Sequence, residues 1–119
     1  RGGKKIIANK NTTINQQNSE LNKKKTELDI TKELRNAYQT HLNNLFIMEV
    51  QNKNLETNKN NFERNLERYK IGQVSSIEFR RAQLNLLNAE LSNSSAKYQA
   101  KISEAYFLKI SGEIISRFK

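Results

Sequence analysis

The chain has 119 residues, carries a formal charge of +9 and is only 35% hydrophobic. Globular domains usually hold about 45–50% apolar residues, so this chain cannot fill a thick core, although it can fill a narrow seam between helices. Cysteine and proline are both missing, which excludes disulfides and thiolate metal sites and leaves long helices uninterrupted.

Glycine stands only at Gly2, Gly3, Gly72 and Gly112. Arg1-Gly2-Gly3 resembles neither a signal peptide nor a natural start, so the chain reads as a piece of a longer protein. From Lys4 to Ile71 the pattern is helical. Ile14, Leu21 and Leu28 recur every seven residues, and after a shift the row resumes as Leu34, His41, Met48, Leu55, Phe62 and Tyr69. A second row, Tyr38, Leu45, Asn52, Lys59 and Leu66, completes the expected seam. Seven-residue spacing held this long implies left-handed coiling around a partner, and the shift between Leu28 and Leu34 resembles a stutter. Met48 with Phe46 and Ile47 is the densest apolar patch, suited to a place where several helices meet.

A turn is expected at residues 72–75. Lys70 places a cation at a helix C-terminus, and Gly72 suits the left-handed residue that closes one. Ser75 and Glu78 then form a capping box for a second helix over 76–111. Its seam is expected along Ile77, Leu84, Leu91, Tyr98 and Ala105, flanked by Leu87, Ile102, Tyr106 and Ile110. Ala82, Ala89, Ala96 and Ala100 allow close approach of a neighbouring helix. Gly112 is a natural stop, which makes 112–119 an exit segment. A short connection folds the two helices back antiparallel. The fold class is thus all-α, a long helical hairpin. At 1.5 Å per residue the helices measure roughly 100 and 55 Å, so half of the first needs cover over Ile14, Leu21, Leu28 and Leu34 from missing sequence or another subunit.

The cationic residues are scattered. Lys23-Lys24-Lys25 is a short run with Glu20, Glu27 and Asp29 around it, which is the composition of a solvated helix face and not of a nucleic-acid groove. His41 is the sole histidine and lies on the apolar row, where it reads as a polar interruption of the seam; a metal site needs several converging ligands. Asn52 and Lys59 read as register-setting polar positions. No phosphate loop, nucleophile elbow or catalytic carboxylate pair occurs, so no catalytic residue, metal or cofactor is expected and the chain is not read as an enzyme.

The order of these features resembles the outer membrane efflux protein family, the TolC-like channel-tunnels, over nearly the whole chain. Gly2-Gly3 resembles the glycine pair where a barrel strand enters the long helix. Tyr69-x-x-Gly72 resembles the turn at the periplasmic tip, and Ser76-Ile77-Glu78 the small, aliphatic and acidic residues that follow it. Ala82-Gln83, Leu87 and Ala89, then Tyr98, Leu108 and Gly112 continue the likeness.

The resemblance implies a periplasmic hairpin from the second of two repeats. Three protomers would form a helical barrel continued by a β-barrel in the outer membrane, outside this piece. The implied partners are the homotrimer itself, a periplasmic adaptor and, indirectly, an inner-membrane transporter. Tip and docking residues are then Tyr69, Ile71, Gly72, Gln73, Val74 and Ser75. Tyr69 and Gly72 serve first as a cap, which leaves Ile71 and Val74 as the exposed docking residues. Glu78 and Arg81 are placed at the pore entrance, although Glu78 also has its capping duty and Arg81 a pairing with Glu78 on the same helix face. Well-known members carry a second acid where this chain has Arg81, so the entrance is expected to select cations less. The second reading is a structural or scaffolding coiled coil with no channel, which the heptads alone fit equally well.

Overall fold

The computed structural model describes residues 2–118; the expectations at Arg1 and Lys119 lie outside the described residues. Two helices, α1 (Gly2–Lys70) and α2 (Ser76–Phe118), run antiparallel as a rod of 105 × 25 × 13 Å. The hairpin fold is therefore as the sequence implies. Polar side chains lie along the length of α1: Thr12, Thr13, Thr26 and Thr31 donate to the carbonyl four residues back, as do the amides of Asn58 and Asn65. Such back-bonding is weakly disfavoured in isolated helices, so contact with α2 must hold the asparagine-rich part of α1 that it covers.

That contact is a continuous heptad seam. On α1 the covered positions are Leu34, His41, Met48, Leu55 and Phe62, as expected, alternating with Ile30, Ala37, Asn44, Gln51, Asn58 and Asn65, whereas Tyr69, the last of the expected row, is exposed. The expected second row is thus corrected: Tyr38 and Leu45 are exposed, as are Asn52 and Lys59, and of that row only Leu66 is partly covered. On α2 the seam is Phe79, Ala82, Leu86, Ala89, Asn93, Ala96, Ala100, Ser103, Phe107 and Ile110. The alanines do allow close approach, and they decide the rotation of both helices. Axes separate by 8–10 Å according to the side chains between them, so the alanines of α2 leave room for Leu34, Met48, Leu55 and Phe62 of α1 between the helices. The bulkier row on α2 is left outside: Ile77 is 72%, Leu84 59%, Leu91 61% and Tyr98 65% exposed.

Two boundaries also differ. Ile71 belongs to the turn and not to α1, and Gly112 does not end α2, so the exit segment over 112–118 is helical. Ile110 is buried and Ile114 half-buried on the seam, and their burial offsets the roughly 1 kcal/mol cost of a helical glycine. Because α2 runs on, Arg117 reaches the level of Lys23, Thr26, Glu27 and Ile30. Leu34 is then covered by α2, and only the first third of α1 stands alone. The Ile14, Leu21 and Leu28 row never enters the seam, whose heptads run unbroken from Glu27, so the shift at Leu28 marks a change of face and not a stutter.

Candidate functional site at the hairpin tip

The turn is built by backbone geometry. Gly72 has φ +74°, the left-handed region that a Cβ disfavours. Its N–H donates to the Tyr69 carbonyl at 3.1 Å and the Gln73 N–H to the Arg68 carbonyl at 2.8 Å. This pair of bonds is the Schellman closure, which satisfies carbonyls that the helix end leaves free. Ser75 caps α2: its hydroxyl accepts the Glu78 N–H at 3.1 Å, while its carbonyl accepts the Phe79 N–H at 3.0 Å. The reciprocal bond from the Glu78 carboxylate to the Ser75 N–H is not among those of the described residues. Glu78 is therefore free for other partners.

Beneath the turn, Phe79 is the anchor. Its ring stacks on Tyr69 with centroids 4.6 Å apart and planes 8° from parallel, and on Phe62 at 5.7 Å. Aromatic pairs of this kind contribute about 0.5–1.5 kcal/mol beyond their buried area. Phe79 was missed in the sequence, although it lies across the turn from the heptad pair Phe62 and Tyr69. Tyr69, Gly72 and Ser75 thus spend their chemistry on closing the turn. Val74 is half-buried, which leaves Ile71 at 68% exposure as the apolar residue of the turn that faces solvent.

Charge surrounds this knob. Arg68, Lys70, Arg80 and Arg81 flank the turn, and among the described residues only Lys70 has an acidic partner, Glu67 at 3.5 Å. The pairing of Arg81 with Glu78 does not form among the described residues, so both charges stay in solvent. A rigid tip with one exposed isoleucine and guanidinium groups that have no ion-pair partner among the described residues is suited to recognising a surface.

Farther down the rod the polar residues pair across the seam. His41 Nδ1 lies 3.0 Å from Ser103 Oγ, whose own proton goes to the Ala100 carbonyl at 2.9 Å. The imidazole therefore donates from Nδ1, and the histidine is a seam residue. Asn93 donates to Asn52, and Asn44 to the Gln99 carbonyl at 3.3 Å. Beyond them Tyr38 packs against Phe107, centroids 5.4 Å apart, so Tyr38 shields Phe107 from the rim of the seam. The Tyr106 hydroxyl donates to Glu33 at 2.7 Å, and this bond to a carboxylate holds the phenol above its usual titration range.

The chain matches no protein-family model, no curated protein and no solved structure.

Proposed function

We propose that this hairpin is the periplasmic helical arm of an outer-membrane export channel, a passive conduit whose tip docks an adaptor linked to an inner-membrane transporter. The observation that carries the reading is the tip: the Tyr69-x-x-Gly72 motif forms a Schellman turn at the end of a rod 105 Å long. An uncovered apolar row along α2 supports it, since one arm of a larger helical barrel needs a face for each neighbour. The homotrimer would supply those neighbours. No described helix is long and apolar enough to cross a membrane; the β-barrel outside this piece is what the family resemblance implies. Ile71 and the charged side chains around it are the docking surface. Glu78 and Arg81 line the entrance, which with Arg80 nearby would prefer cations weakly. Opening would be a change of coiling at the tip.

Native mass spectrometry of the intact parent protein tests this. A trimer that needs detergent is expected. A dimer, or a protein that dissolves without detergent, refutes the channel and leaves the scaffolding coiled coil, a reading that the uncovered row on α2 also fits.

A further inference from the structure

The outer row of α2 is a second heptad register on a helix that already carries one. Ile77, Leu84, Leu91 and Tyr98 repeat every seven residues, with Leu87 and Leu108 on the companion track, all of them exposed. Two charged residues, Arg80 and Lys101, stand within these tracks, three heptads or about 31 Å apart. No carboxylate does. Arg81 and Lys109 flank these tracks along one edge, and Glu90, Lys97 and Glu104 along the other, so the strip and its edges together carry an excess of cations.

Three occupants compete. A second copy of the hairpin lying in register would present the outer side of α1. Asn52 pairs with Asn93 and Phe62 with Phe79, so the α1 residues level with Leu84, Leu87 and Leu91 are Asn60, Glu56 and Lys53. These give the three leucines nothing apolar to meet, and of the row only Tyr98 lies level with an exposed apolar residue of α1, Phe46. A flat anionic bilayer would satisfy the cations, but a row spaced at seven drifts about 20° per heptad on a straight helix. A plane would follow it for a heptad or two, while a coiling helix follows all of it.

We propose that the outer row of α2 is a docking strip for an acidic amphipathic helix of another protein, with carboxylates opposite Arg80 and Lys101. Leucines and Tyr98 supply the apolar contact, and the two cations set register and direction, as single charged positions do in coiled coils. The inference stands on the face of α2 alone; it competes with cover of this row by a neighbouring protomer of a conduit, and the peptide test separates the two.

The test uses the 119-residue chain and a synthetic helical peptide about five heptads long, with leucine at its seam positions and glutamates three heptads apart. A twin carries lysine in place of the glutamates. Fluorescence anisotropy should show the glutamate peptide binding roughly tenfold more tightly than its twin. Arg80→Glu with Lys101→Glu should reverse the preference, and Arg80→Gln with Lys101→Gln should erase it. Both pairs lie outside the seam, so circular dichroism should stay unchanged. Equal binding of the two peptides, or a preference that survives the charge reversal, overturns the proposal. So does sedimentation of the chain with phosphatidylglycerol vesicles when neither peptide binds, or self-association that the charge reversal abolishes.

Discussion

Replacing Gly72 by alanine isolates the cost of the tip turn. A Cβ built on Gly72 meets nothing within 4 Å, so no steric clash enters and the whole penalty is backbone conformation. Holding φ +74° with a side chain costs about 1–2 kcal/mol. The gain from a stiffer unfolded chain, about 0.4–1 kcal/mol where alanine fits, offsets part of this. The net is about 1 kcal/mol of destabilisation, or roughly 4 °C in Tm for a chain of this size. Urea unfolding followed by far-ultraviolet circular dichroism measures it, with Gly72→Asn as the companion because asparagine tolerates this conformation better. Alanine should destabilise, and asparagine should cost less. A Gly72→Ala hairpin as stable as the parent would show that the turn is not held left-handed. A loss above about 3 kcal/mol would mean that the space around Gly72 is not open, and either result refutes the reasoning.

Ala89→Leu should destabilise by about 1–3 kcal/mol through overpacking of the closest approach, whereas Leu91→Ala on the outer row should cost the isolated hairpin under about 0.5 kcal/mol; paired urea curves check both. Phe79→Ala should cost about 2–3 kcal/mol from lost burial and lost stacking on Tyr69 and Phe62, and protease cleavage near the tip should accelerate. The Tyr106 phenol is raised by its bond to Glu33, so its contribution is present in full below the unfolded tyrosine range and fades as pH rises through the folded value. Stability should therefore fall more steeply in alkali for the parent than for Tyr106→Phe, as a titration of Tm would record.

The turn was legible because its chemistry is local. Tyr69 to Gly72 and Ser75 to Glu78 each act over a single helical turn, and the Schellman bonds and the Ser75 cap form where the residue types put them. Half of the α1 seam was legible too, since Leu34, Met48, Leu55 and Phe62 pair heptad spacing with apolar character. The other half was not. Ala37, Asn44, Gln51, Asn58 and Asn65 are covered because α2 lies across them, and hydropathy along one helix cannot register what faces it. Tyr38 and Leu45 looked like the better seam for the same reason. Gly112 misled because a helical glycine costs so little beside the burial of Ile110 and the partial cover of Ile114.

The error on α2 carries the most information. Ranked by hydropathy, Ile77, Leu84, Leu91 and Tyr98 form the stronger row, and a helix with one partner would bury it. In the hairpin the weaker row wins, since Ala82, Ala89, Ala96 and Ala100 are nearly inaccessible while the leucines face outward. Burying an exposed leucine stabilises by about 1.5–3 kcal/mol, so leaving several of them in water is a poor use of sequence for a free-standing hairpin. The arrangement makes physical sense if α2 has two neighbours at once, one close along the alanines and one across the leucines. A scaffold and a conduit both meet that condition. What separates them is whether the second neighbour belongs to a closed ring in a membrane-anchored trimer, and the stoichiometry of the intact protein in detergent reads that directly.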